Sequence, residues 1–195
     1  SNFELFSSDT NIVVGDQDPA FTIKTFIQAD PPVHDVQRQA VTAAVAPKRI
    51  AELEELIRQR TSSVLDSLPL GEEFDWVDKV SIELTTQLLA TLFDFPWDDR
   101  RLLPYWSDIA SSNETTGNLE VDAAHRQSVM TECLEYMARL FQERATQEPK
   151  MDFLSLLAHK PQTRNMLDDP MEFLGNVTLL IIGGNDTTRH SMSGG

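Results

Sequence analysis

Ten residues near the C-terminus, Leu179-Leu180-Ile181-Ile182-Gly183-Gly184-Asn185-Asp186-Thr187-Thr188, constrain this chain more than any other stretch. An apolar run that has to be buried passes, without a turn, into six residues that all disfavour the inside of a helix. Relative to alanine, the two glycines, the Asn, the Asp and the two threonines together cost about 4 kcal/mol of helix propensity. Local rules broken this abruptly tend to mark working sites. The stretch is nevertheless headed by a well-formed helix start. Asp169 can cap, Pro170 suits the first helical position, and Glu172 stands where a capping box wants a carboxylate. Phe173, Leu174, Val177, Leu180 and Ile181 then recur at spacings of three and four. The pattern predicts one helix from about Pro170 to the end of the chain, deformed at Gly183-Gly184. Leu179, Leu180, Gly183, Asp186, Thr187 and His190 would share one face. A bulky, flat ligand could reach the backbone only at the glycines. Two other readings stay open: a merely kinked core helix, or a buried strand from Val177 to Ile182 feeding a phosphate-holding loop. Against the loop, neither G-x-x-x-x-G-K-[ST] nor G-x-G-x-x-G is present, and no Lys follows the glycines.

Gly183-Gly184-Asn185-Asp186-Thr187-Thr188 resembles the [A/G]-G-x-[D/E]-T-[T/S] signature in the long central helix of cytochrome P-450 monooxygenases. In that family this helix crosses the distal face of the haem, and its bent glycine segment makes room for dioxygen. The resemblance implies that Asp186 is the acid and Thr187 the alcohol of a proton-delivering pair. It implies that Gly183 is the bent residue with the freed carbonyl, and that Gly183 and Gly184 lie against the cofactor. The continuation Arg189-His190-Ser191-Met192-Ser193-Gly194-Gly195 is most similar to the soluble bacterial branch that hydroxylates alkanes and fatty acids terminally.

A second segment agrees. Asp30-Pro31-Pro32 is a helix start and Pro47 a stop, and between them His34, Arg38, Val41 and Val45 fall on one face. Taken alone, a His and an Arg four apart are usually a solvated pair. Asp-Pro-Pro-x-His-x-x-x-Arg resembles the helix whose His and Arg hold a haem propionate in many bacterial members. A buried carboxylate needs charge-assisted donors, and positions i and i+4 present two on one side. The resemblance assigns that role to His34 and Arg38.

The remaining patterns are helical. Lys48 to Leu68 reads as an amphipathic helix whose Glu52, Glu54, Glu55, Arg58 and Arg60 form a solvated face. Phe74 and Trp76, alternating with acids, suit a short edge strand. Asp78 starts a helix that runs close to Pro96, and Asp98 to about Ser111 gives another. Glu83 and Thr86 have no partner that the sequence names. The polar stretch from Ser111 to Asn118 is a loop, which in the family belongs to a mobile lid. Val121 to about Gln147 is a helix whose apolar stripe contains Cys133 and Met137, so Cys133 reads as a buried, inert thiol. Asp152 caps a short helix ending near Pro161. His159 has no second ligand at metal spacing. Ile12, Val13, Val14 and Phe26 read as core residues first and pocket residues second.

Composition bounds the partners. A net charge of −15 disfavours nucleic acid and anionic membranes, though not an acidic protein docking on a local basic patch. No apolar run approaches the ~18 residues of a membrane span. One cysteine excludes an internal disulfide framework and fits a cytoplasmic protein.

The resemblance therefore implies a mainly α chain with little β: the N-terminal and central part of the P-450 fold, ending within the long central helix. Residues 1–195 would be one partial haem-binding monooxygenase domain of a protein about twice as long. It implies haem b, dioxygen, a small apolar substrate, and electrons from NAD(P)H through a ferredoxin reductase and a ferredoxin. The axial cysteine loop of the family has no counterpart here, so the piece alone is expected to bind haem poorly and be inactive. The alternative is a non-enzymatic helical interaction module with a kinked core helix. A Phe-x-x-Gly-x-x-x-Cys loop about two hundred residues downstream would discriminate the two.

Overall fold

A computed structural model describes residues 5–9, 24–111 and 116–194. The elements run α1 (Val33–Thr42), α2 (Pro47–Asp66), a π-helical turn (Val77–Ile82) continuing into α3 (Glu83–Phe93), α4 (Leu102–Ser111), α5 (Leu119–Ala145), α6 (Phe153–His159) and α7 (Pro170–Gly194). Short 3-10 turns at Phe26–Gln28, Ala43–Val45 and Met166–Asp168 join them. The mainly α expectation is met, and there is no strand among the described residues.

Local chemistry explains the boundaries. Asp169 Oδ1 accepts from the Met171 and Glu172 amides, both at 3.2 Å, and Pro170 opens α7. Glu172 does not complete the box; it takes a hydrogen bond from Gln37 of α1. Asn118 Oδ1 caps α5 through the amides of Glu120 and Val121. Asp152 caps α6 by accepting from Ser155 N–H at 2.8 Å. Pro47, expected as a stop, is also the first residue of α2.

Two expectations fail locally. Phe74 and Trp76 do not form a strand. Asp75 Oδ1 accepts from the amides of Val77 and Asp78 at 2.8 and 3.2 Å, so the acid between the two aromatics caps a helix. The helix placed from Asp98 starts only at Leu102, because residues 96–101 are consumed by turns closed through the Pro96 and Trp97 carbonyls.

α7 runs through the core, with α3, α4 and α5 packed along it. Phe173, Val177 and Ile181 are fully buried. Trp106 of α4 is fully buried between Phe95 and Tyr136, with ring centroids at 6.0 and 5.6 Å. Cys133 and Met137 lie in the same core, and burial pushes the Cys133 thiol up to about 12. His159 is structural, bridging the Ser155 and Gln147 carbonyls at 2.9 and 3.0 Å. The apolar patch at Ile12, Val13 and Val14, and Ser112–Thr115 of the polar loop, lie outside the described residues.

Glu83 acquires partners that its sequence context hides. It accepts from Gln87 at 2.9 Å, from Arg100 at 3.1 Å and from Arg101 at 2.6 Å. Burial pushes its carboxyl up, but these donors and the two guanidinium charges outweigh burial and hold it below the ordinary value. A depressed folded pKa adds stability that is present above the unfolded value and lost as pH falls through the folded one. Glu83→Gln is therefore expected to lower the urea midpoint at neutral pH. The gap to the parent protein should close as pH falls below the carboxylate range, and a gap that persists at low pH would contradict this.

Candidate functional site

A cavity of about 580 Å³ opens between α1, α3, α6 and α7. That is the size of an ordinary cofactor or ligand site, about 300–1,000 Å³. Its wall includes Phe26, Arg38, Leu92, Leu180, Gly183 and Gly184. Phe26, read first as a core residue, is thus a lining residue. Both glycines and Arg38, 145 and 146 positions apart along the chain, meet in one hollow.

The two glycines do different jobs. A Cβ on Gly184 would come within 2.7 Å of Leu89 Cδ2, so this glycine lets α3 lie close against α7. A Cβ on Gly183 would meet nothing within 4 Å, so the bare backbone there faces open space. α7 itself is assigned as helix without a break from Pro170 to Gly194, so the expected deformation does not interrupt it. The Gly183 carbonyl accepts from the Thr187 hydroxyl at 2.8 Å. Ser191 and Ser193 make the same i to i−4 bond on α7, at 2.8 and 2.9 Å, so that contact is not in itself a functional mark.

Asp186 departs from the shared face drawn from the sequence. Its Oδ1 accepts from Ser107 at 3.0 Å, from Asn185 at 3.0 Å and from Arg189 at 3.2 Å, and its Oδ2 from Ser111 at 3.2 Å. The acid therefore lies toward α4, while Thr187 is bonded to Gly183. The helical-wheel projection could not resolve this, because adjacent residues on a helix differ by 100° and the partners that choose between faces are on another element.

Arg38 and His34 also separate. Arg38 lines the cavity, whereas His34 is not among its lining residues. His34 Nδ1 is 2.9 Å from the Phe26 carbonyl, which can only accept, so Nδ1 carries the proton. Nε2 then donates to a carboxylate only when the ring is positively charged.

These residues fit a flat, carboxylate-bearing, largely apolar group. Gly183 offers a face without side chains, Phe26, Leu92 and Leu180 offer apolar contact, and Arg38 offers charge-assisted donors. No cluster of three His, Cys, Asp or Glu residues that could hold a metal occurs among the described residues. Cys133 is buried in the α5 stripe and is not among the residues that line the cavity, so it is not an axial ligand. A second hollow, beside Trp97, has its cations already engaged: Lys150 pairs with Asp94, Arg49 with Glu52, and Arg60 bonds the Gln87 carbonyl.

No protein-family model matches the chain. Relatives and solved structures do. The chain is 33% identical over 168 residues to linalool 8-monooxygenase of Pseudomonas putida, covering 86% of this chain and 41% of that protein. It is 30% identical over 169 residues to a steroid C26-monooxygenase of Mycolicibacterium smegmatis, covering 87% and 38%. Among solved structures, cytochrome P450-153 from Novosphingobium aromaticivorans is 44% identical with a TM-score of 0.85, covering all of this chain and 49% of that one. CYP153D17 from Sphingomonas sp. PAMC 26605 is 42% identical with a TM-score of 0.84, covering 98% and 48%. The chain belongs to the cytochrome P450 family. It spans less than half the length of the curated P450 relatives it matches. Its helices have the P450 arrangement over that part. No helix among the described residues is long and apolar enough to cross a membrane.

Proposed function

We propose that this chain is part of a haem-dependent monooxygenase that inserts one atom of dioxygen into an aliphatic C–H bond, most simply the terminal carbon of a medium-chain alkane or fatty acid. The observation that carries the reading is one cavity lined by both Arg38 and the bare Gly183 backbone. Likeness to two P450-153 structures at 44% and 42% identity supports the alkane-hydroxylating branch. Electrons would come from NAD(P)H through a ferredoxin reductase and a ferredoxin, in the cytoplasm. Substrate is apolar because the wall beside the glycines is apolar.

Haem b, when bound with its thiolate, supplies the oxygen-activating chemistry. The chain's own residues have narrower tasks. Arg38 would hold a propionate, with His34 one turn back on α1 as its second candidate partner. Gly183 keeps the helix wall flat where the porphyrin and a small molecule must fit. Leu92 and Leu180 exclude water from the apolar side. Thr187 holds a proton at Oγ1 on the carbonyl of Gly183, the residue that lines the cavity. Asp186 is the acid that replenishes it.

The test uses the complete protein with its redox partners. The reduced, carbon monoxide-bound form is expected to show the haem-thiolate difference band. Thr187→Ala is expected to keep haem and that band while product formed per NADH consumed falls severalfold. An unchanged ratio would remove Thr187 from proton delivery.

A further inference from the structure

Helix hydroxyls in this protein usually satisfy themselves locally. Thr42, Thr61, Thr131 and Ser191 each donate to the carbonyl four residues back. Ser107 does otherwise. Fully buried on α4, it donates at 3.0 Å to Asp186, 79 residues away on α7. A buried hydroxyl has no solvent alternative, so that contact is the one it is built around. Ser111, one turn later, reaches the other carboxylate oxygen at 3.2 Å but is nearer the Ser107 carbonyl at 2.7 Å. It has one proton to give, so it is the secondary donor. Asp108, between them, takes the other arm of Arg189 at 2.8 Å, while Arg189 itself touches Asp186 at 3.2 Å. Three residues within a turn of α4 thus engage the acid and its neighbouring guanidinium.

We propose that Ser107 is a positioning residue for Asp186: its hydroxyl docks the carboxylate on α4, so the placement of α4 decides how far the acid can reach toward the cavity. This rests on Asp186 being the site's acid. The charged groups facing it are Arg189 from its own helix and, through Arg189, Asp108 from α4. α4 ends at Ser111, so the tie is made by its last turn and a half. A shift of that end relative to α7 breaks the Ser111 and Ser107 contacts while leaving Thr187 on the Gly183 carbonyl.

The experiment follows the Asp186 carboxyl carbon by NMR in the complete, haem-loaded protein labelled with ¹³C-aspartate, with Asp186→Asn assigning the signal. Ser107→Ala is expected to move the Asp186 carboxyl resonance at neutral pH, because a donor to the carboxylate is lost. Ser111→Ala should move it less, and Ser107→Thr should restore it. In turnover assays, Ser107→Ala should lower kcat severalfold with KM little changed, again rescued by Ser107→Thr. If Ser107→Ala does not fold, Ser107→Cys keeps the volume with a weak donor and is read the same way. A resonance that Ser107→Ala or Ser107→Cys leaves unmoved in a folded protein overturns the proposal. Movement of the resonance together with a turnover indifferent to Asp186→Asn supports the positioning and overturns the role of Asp186 as the acid.

Discussion

Gly183→Leu is expected to act with opposite signs on the fold and on the site. Without ligand the variant should be the more stable protein. Glycine inside a helix costs about 1 kcal/mol relative to a good helix former, and the Cβ position at 183 is open. With ligand the same side chain stands in the cavity whose wall Gly183 shares with Arg38. Forcing atoms into a filled space costs on the order of 1–3 kcal/mol, so haem should bind roughly 10- to 100-fold more weakly. A haem titration of the complete protein, beside a thermal melt without haem, reads both. Arg38→Ala in the same titration should also weaken haem while leaving the ligand-free melt nearly unchanged, since Arg38 is exposed there. A Gly183→Leu protein that is destabilised and still takes up haem fully would mean that the glycine serves the fold, and the reading of the cavity would go with it.

Trp106→Ala should be the most damaging single change in the core, at about 3–5 kcal/mol. The indole is fully buried and has ring contacts with Phe95 and Tyr136, which are themselves stacked at 5.1 Å. Its removal takes away the packing between α4 and α5 that also sets Ser107, the next residue, against α7. Its N–H has no hydrogen-bond partner among the described residues, so Trp106→Phe loses no such bond and should cost far less. Denaturant melts of the two variants compare ring burial with ring chemistry. Equal losses would show that the nitrogen matters after all.

Much of this was visible in the residues themselves. α2, α5 and α7 were legible because each carries a stripe long enough for the 3.6-residue period to be unmistakable, and Asp169-Pro170 announced the start of α7. Phe74 and Trp76 were misread because three residues of alternation look alike in a strand and in the lead-in to a helix. Arg38 was singled out by the likeness of Asp-Pro-Pro-x-His-x-x-x-Arg to a propionate-holding helix, since its spacing from His34 alone reads as a solvated pair. The hydrogen bond that turns His34 toward Phe26 could not be found, since a backbone carbonyl has no sequence signature. The same holds for Asp186. Its position on the chain marked it as an acid worth watching, but Ser107 and Ser111 are ordinary-looking helix serines, and nothing local says which of them faces another element.

Leu89 occupies two roles at once: it presses on Gly184 and it lines the cavity. The shape of the cavity and the spacing of two helices are therefore written into one side chain. Widening the cavity by trimming position 89 also frees room at 184, so the two sites should be varied as a pair. Libraries that change either one alone will mostly recover unstable proteins or unaltered ones.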